Sequence, residues 1–106
     1  METISWSKAI PVRFSFPQEV DRAEGWGRLT RLSSKTASLL SLSQFSIGKR
    51  AILYWELNGE SFSVESRVLT VAREKSGYFK AQLFFIRATD RKRLAIFLLD
   101  IISRSA

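Results

Sequence analysis

The sequence predicts an all-β fold, a six-stranded antiparallel barrel with a C-terminal α-helix. Most of the chain consists of short segments in which apolar and polar residues alternate, separated by turns rich in glycine, proline and asparagine. Near residue 89 this alternation gives way to a helical repeat. A chain of 106 residues has room for one hydrophobic core, and closing its strands into a barrel removes the exposed sheet edges.

The alternation places the strands along the chain. The first is predicted at residues 11–16 and ends at Pro17, and it leaves residues 1–10 as an N-terminal segment whose order the sequence does not decide. The polar residues 18–25 are predicted to form a loop. The other strands are predicted at residues 26–32, 37–42, 49–57, 62–71 and 78–87. Residues 11–106 are therefore expected to form a single domain.

Two local signals refine this arrangement. Asn58-Gly59 lies between apolar segments and is typical of a two-residue type I′ hairpin, in which both turn residues have positive φ. After Val68 the apolar positions change parity, because Leu69 and Val71 are apolar where polar residues are expected. Such a change predicts a bulge or a sharp bend, which lets a long strand follow the curve of a barrel.

The C-terminal helix is predicted at about residues 90–103. Thr89 or Asp90 is suited to cap it, and the acidic group would lie at the positive end of the helix dipole. Four apolar residues recur at helical spacing and would face the barrel: Leu94, Phe97, Leu98 and Ile101.

Three further apolar residues widen the helix face beyond one stripe, namely Ile96, Leu99 and Ile102. Two interpretations remain open: either the helix is buried deeply against the barrel end, or this face binds a partner protein or forms a homodimer. Arg91-Lys92-Arg93 lies at the helix start, where positive charge opposes the dipole. Arg91 and Arg93 are therefore candidate partner-binding residues together with the three apolar residues, although solubility would also explain them.

The composition excludes several classes of function. The chain has no cysteine and no histidine, so it lacks the commonest metal ligands and nucleophiles. Its ten carboxylates show no paired spacing, which leaves open only a buried Glu56 or Glu65 with a raised pKa. We therefore expect no catalytic residues, no metal and no cofactor, and hence no enzyme. With neither a long apolar run nor a signal peptide, the chain is expected to be cytoplasmic, without a membrane span.

The formal net charge of +7 at pH 7 indicates attraction to phosphates, nucleic acid or acidic protein surfaces, unless it serves solubility alone. Five basic residues lie near the barrel start and the segment between strands two and three: Lys8, Arg13, Arg28, Arg31 and Lys35. Trp6 and Trp26 would offer aromatic faces on which a base can stack. Alternatively, the tryptophans plug the barrel ends and the arginines are solvated.

A polar kink, Ser33-Ser34-Lys35-Thr36, separates the second and third predicted strands. With this kink, the order of elements resembles that of the PilZ domain family. The resemblance covers most of the chain and rests on the segments GRLTRLSSKTASLL, SIGKRAILYWELNG, FSVESRVLTVAR, YFKAQLFFI and DRKRLAIFLL. It implies a bacterial six-stranded barrel, of which typical members bind cyclic di-GMP and pass the signal to a partner.

The resemblance also implies a ligand site at the kink. Such sites have an Arg-x-x-x-Arg pair before the first strand, and an Asp or Asn, a serine and a glycine at the kink. Here Arg31, Ser33 and Thr36 occupy the three kink positions, so only the serine matches. Residues 5–10 contain Lys8 but no arginine, and a lysine does not reproduce the bidentate, stacking grip of an arginine pair. The ligand motif is therefore degenerate.

Three functions follow from these observations. The first is a non-catalytic PilZ-like regulatory or interaction module in cyclic di-GMP-related signalling that acts through protein contacts. The second is a PilZ-like receptor that still binds cyclic di-GMP through an altered basic site, and the third is a small basic barrel that binds RNA or single-stranded DNA. The candidate ligand-binding residues are Arg31, Ser33, Lys35, Thr36, Arg13, Arg28, Lys8 and Trp6.

Overall fold

Six β-strands and one α-helix follow one another in a computed structural model that describes residues 3–19 and 24–105. The side chains of residues 6–9 and 105 lie outside this description. The elements are β1 (Thr3–Ser15), β2 (Gly25–Ser33), β3 (Thr36–Ser41), β4 (Arg50–Leu57), β5 (Glu60–Arg73), β6 (Phe79–Phe85) and α1 (Ala88–Ser105).

The six strands form a closed barrel in the order β1-β2-β3-β6-β5-β4, and β4 pairs back to β1. All neighbouring strands are antiparallel. The predicted fold class is therefore confirmed. Pairing of β3 with β6 brings together strands that are far apart in the sequence, and this non-local pairing places the kink beside the last strand.

Alternation along the strands fills the barrel with apolar side chains. Phe14 and Phe85 are fully buried near its centre, and Phe45, from the connection between β3 and β4, packs edge-on against Phe14 with ring centroids 4.8 Å apart. One end is filled by Trp55, which stacks on Phe62 at 5.1 Å. Aromatic contacts of this kind add to the stabilisation that apolar burial provides.

The two local sequence signals are both confirmed. Asn58 and Gly59 have φ values of 52° and 78°, as a type I′ turn requires, and they join β4 to β5. The register between β5 and β6 shifts between Val68 and Thr70. This shift turns Leu69 outward and returns Val71 to the edge of the core, so the change of apolar parity marked a real bulge.

The predicted bounds lie within two residues of the observed ones except at the start of β1. β1 begins at Thr3 rather than at residue 11, because a second irregularity interrupts its alternation: Ser5 lies opposite Arg31, whereas Ile10 lies opposite Leu29. A bulged strand loses its two-residue period and cannot be recognised from the pattern. The helix begins at Ala88, before the predicted cap, so that Thr89 and Asp90 lie in its first turn.

The helix packs across the Trp55 end of the barrel. Leu94 and Leu98 are fully buried, and the ring of Phe97 meets that of Phe62 edge-on at 4.8 Å. Ile96, Leu99 and Ile102 remain 63%, 50% and 36% exposed. The deep burial considered for these three residues is therefore wrong. Within residues 3–19 and 24–105, no helix combines the length and hydropathy needed to cross a membrane.

Glu65 on β5 connects the barrel to the segment before the helix. Its carboxylate accepts hydrogen bonds from Arg50 at 2.8 Å and Arg87 at 3.2 Å, and its carbonyl oxygen accepts one from the N–H of Ile86 at 3.1 Å. The hydrogen bond from Arg87, followed by the charge and hydrogen bond of Arg50, lowers the pKa of Glu65 although desolvation opposes this. The raised pKa considered for Glu65 is thus wrong, and Glu56 is exposed rather than buried.

Glu65→Gln is expected to lower the melting temperature near neutral pH, because the ionised carboxylate loses two charged partners. A lowered pKa in the folded state stabilises the protein above the ordinary carboxyl value of 4.5, and this contribution disappears as the pH falls through the folded pKa. The difference between variant and wild type should therefore shrink as the pH falls below 4.5 in thermal melts. Glu74→Gln, at an exposed position, is the control, and a pH-independent difference would contradict the assignment.

Candidate functional site

The kink between β2 and β3 is held by the hydroxyl of Ser33. Its Oγ accepts hydrogen bonds from the backbone N–H of Lys35 at 3.2 Å and of Thr36 at 3.0 Å, and it lies 3.0 Å from Thr36 Oγ1. Ser33 is only 3% exposed. Serine side chains commonly close turns in this way. The hydroxyl is therefore engaged by the kink itself.

The kink also supports the neighbouring strand. The carbonyl oxygen of Lys35 accepts a hydrogen bond of 2.8 Å from the N–H of Phe85, at the end of β6. Lys35 itself is exposed, and Thr36 is half-buried. The backbone of the kink thus fixes the segment that leads from the barrel into the helix.

A polar cavity of about 290 Å³, the kink cavity, lies on the outer surface beside the kink. It is lined by Ser5, Thr30, Arg31, Ser38 and Lys80. Arg31 donates from Nε to Ser5 Oγ at 3.3 Å, and Thr30 donates to the carbonyl oxygen of Ser38 at 3.1 Å. Two cations and several hydroxyl groups converge here, an arrangement suited to an anion.

A larger cavity of about 460 Å³ lies where β1 meets β4, and we call it the seam gap. Arg13 lies opposite both Tyr54 and Trp26 in the two strand registers. Its guanidinium stacks 4.2 Å from the centre of the Tyr54 ring and forms an ion pair of 2.9 Å with Glu24. Trp26 is 67% exposed, so it does not plug the barrel end as the alternative interpretation supposed.

Gly25 and Gly27 flank Trp26 and have the inward parity of β2. A Cβ on Gly25 would lie 2.5 Å from the Phe14 ring, and one on Gly27 would lie 2.6 Å from the carbonyl oxygen of Leu40. Neither position can therefore carry a larger side chain without displacing its neighbours. Trp26 and Arg28 have the opposite, outward parity and are exposed.

Arg28 lies outside the kink cavity and the seam gap. Its guanidinium is 5.0 Å from the centre of the Tyr78 ring. It lines a cavity of about 210 Å³ together with Trp26 and Leu42. Arg13, Arg28 and Arg31 thus line three separate cavities rather than one cluster. The side chains of Trp6 and Lys8 lie outside the described residues.

The arginines at the helix start are engaged within the chain. Arg91 donates to the carbonyl oxygens of Phe85 at 2.7 Å and Ile86 at 2.8 Å. Arg93 donates to the carbonyl oxygen of Ser61 at 3.2 Å, and its guanidinium lies 4.4 Å from the centre of the Phe62 ring. Both residues therefore join the helix to the barrel, while Ile96, Leu99 and Ile102 form an exposed row.

Three residues that line or border these cavities were not predicted from the sequence: Lys80, Tyr54 and Tyr78. Lys80 does have the outward parity of β6, opposite to that of the buried Ala81. Its place beside Arg31, however, depends on the pairing of β3 with β6. The two strands are not neighbours in the sequence, so the sequence gives no sign of that pairing. It is evident only from the order of the strands in the barrel.

No family model matches the chain, and no curated protein matches it. Solved structures do. The PilZ domain of YcgR from Escherichia coli with c-di-GMP is similar over 97% of this chain and 90% of that one, at 13% identity and a TM-score of 0.71. The K. pneumonia MrkH–c-di-GMP complex is similar over 97% of this chain and 52% of the MrkH chain, at 14% identity and a TM-score of 0.75.

The Bacillus subtilis inhibitor of motility MotI is similar over 98% of this chain and 52% of its own, at 15% identity and a TM-score of 0.69. The chain thus spans about half the length of MotI and of MrkH. These likenesses show that the chain has the PilZ-domain fold, as the resemblance of its sequence pattern implied.

Ser33→Ala should lower the free energy of unfolding by about 1–2 kcal/mol, since two backbone N–H groups lose their acceptor. Ser34→Ala, at the neighbouring position, is the matched control and should stay close to wild type. Urea denaturation of the three proteins measures both values. If Ser33→Ala were as stable as the control, the hydroxyl would not be holding the kink.

Proposed function

We propose that this chain is a non-catalytic regulatory or interaction module of bacterial cyclic di-GMP signalling, and that it acts through protein contacts. The PilZ-domain fold supports the signalling context, because the YcgR domain and MrkH of the same fold are in complex with c-di-GMP. The observation that carries the proposal is the exposed apolar row on α1. Of its three members, Ile96 lies opposite the buried Leu94 and Leu98, and Leu99 and Ile102 continue the row toward the C-terminus along the edge of the buried face.

The row has the properties of a protein-binding surface. Its residues follow one another at intervals of three along the helix, so they form one strip. Covering such apolar area stabilises an association by roughly 25 cal/mol per Å². Beside the row, Asp100 and Arg104 form an ion pair of 3.2 Å, which provides a polar rim. A second copy of the chain or a partner helix would cover this strip.

The kink supports the same proposal. In the degenerate motif the serine hydroxyl is already bonded to the kink backbone, and Arg31 replaces the acidic or amide residue. The segment that would carry the arginine pair instead continues β1, with Ser5 opposite Arg31. An ordinary cyclic di-GMP site would therefore lack most of its groups.

Leu99→Glu tests the homodimer form of this proposal. Wild-type protein at high micromolar concentration should have twice the monomer mass by light scattering, and the variant should be monomeric, because a charge in an apolar interface loses its solvation. Leu69→Glu, at an exposed position on the barrel, should leave the mass unchanged. A monomeric wild type would remove the homodimer and leave a different protein as the partner of the row.

A second candidate function is a receptor that binds cyclic di-GMP through an altered basic site. The kink cavity favours it, because Arg31 and Lys80 converge there with hydroxyl groups. Arginine can grip a phosphate or the O6/N7 edge of guanine with two hydrogen bonds, and lysine can supply a further charge to phosphate. This function would use Arg31 in place of the missing arginine pair.

Isothermal titration with cyclic di-GMP, with GTP as the control ligand, separates the candidates. The receptor predicts saturable binding that persists at physiological salt and is lost in Arg31→Ala and in Lys80→Ala, but not in Arg73→Ala. Nucleic-acid binding predicts instead that affinity for any polyanion falls steeply with salt. Absence of heat at low and at physiological salt is the result expected for a module that acts through protein contacts alone.

A further inference from the structure

We propose that the seam gap between β1 and β4 binds an extended segment of a partner protein, which pairs as an added strand with the free edge of β4. This inference rests on the proposed function, since it names a surface and a kind of partner for a protein-binding module. It concerns a surface distinct from the row on α1. The barrel is closed, but its seam is paired over only part of its length.

The register defines the gap. β1 pairs with β4 from Arg13 opposite Tyr54 to Ser15 opposite Ile52. β4 continues through Trp55, Glu56 and Leu57, and among the described residues these pair only with β5. Backbone groups along a strand point alternately to its two neighbours. The β1-facing edge of this part of β4 therefore offers hydrogen-bonding groups without a strand partner.

Pro11 explains why the seam stops there. It pairs with Arg28 of β2 on one side, and it has no N–H with which to continue a ladder on the other. Proline occurs in sheets mainly at edges that are not fully paired. The sequence of β1 thus keeps this strand from closing over the end of β4.

The walls of the gap suit a polypeptide. Trp26 and Tyr54 supply flat apolar surfaces, and Ser61 and Ser63 supply hydroxyl groups. Trp55 also borders the gap, and its buried indole N–H has no hydrogen-bond partner among the described residues. Added strands of this kind gain affinity from main-chain hydrogen bonds and selectivity from alternate side chains.

The charges define the segment further. Arg13 lies beside Tyr54, and Glu56 lies two residues farther along the same face of β4, a spacing of about 7 Å. A strand on this edge would therefore carry a basic or hydrogen-bonding residue near Glu56, and an acidic residue near Arg13 would share the guanidinium with Glu24, which pairs with it at 2.9 Å. The net charge of +7 favours an acidic partner overall. The Glu56 carboxylate in the gap disfavours a nucleic-acid backbone there.

The test selects peptides from a random display library on the immobilised protein and measures the enriched peptides by titration and by amide NMR. Binding should shift the amide signals of Trp55–Leu57 and should weaken roughly tenfold when alternate peptide N–H groups are methylated. Trp26→Ala and Arg13→Ala should also weaken binding. Leu69→Ala, at an exposed position on the barrel outside both the gap and the row, is the control and should not.

Three results would overturn the inference: no enriched peptide, binding unaffected by N-methylation, or binding lost in Ile96→Ala but kept in Trp26→Ala. The third would leave the proposed function standing, because it would place protein binding on the helix row. Failure of the proposed function has a different signature, which is saturable cyclic di-GMP binding that requires Arg31 together with no peptide selected on either surface.

Discussion

Closure of the barrel through the short seam between β1 and β4 is the constraint on which the other features depend. Phe14 lies in that seam, opposite Leu53, and its ring is buried against Phe45. The N-terminal half of β1 pairs with β2, which brings Ser5 to Arg31 beside the kink. Closure also brings Arg13 between Tyr54 and Trp26. The pairings of β1 therefore contribute to both the kink cavity and the seam gap.

The interior of the barrel also decides what is exposed outside it. Because the Phe14 ring fills the space under Gly25, β2 can carry no larger residue at that point. Trp55, Phe62 and Phe97 fill the helix end, whereas Trp26 has the outward parity of β2. Trp26 is left on the surface beside the gap. An exposed tryptophan is costly to keep in water, and such residues often serve as anchors in binding.

Local signals made much of the fold predictable. The Asn58-Gly59 turn and the bulge near Leu69 were read from neighbouring residues, and both depend on backbone geometry close to them. The start of β1 was not predictable, because its own bulge hides the alternation. Lys80 joins Arg31 only through the pairing of β3 with β6, which no local pattern encodes. The candidate site was thus harder to predict than the elements that build it.

The distribution of charge connects these surfaces to the proposed function. Arg91 and Arg93 are used to hold the helix on the barrel, and Arg50 and Arg87 are used by Glu65. Much of the positive charge therefore stabilises the fold at short range, while its sum still attracts acidic partners at long range. Under the proposed function, selection among such partners would depend on shape and apolar contact, at the row on α1 and beside Trp26. This division of roles is what a module that recognises proteins requires, because net charge alone would attract every polyanion equally.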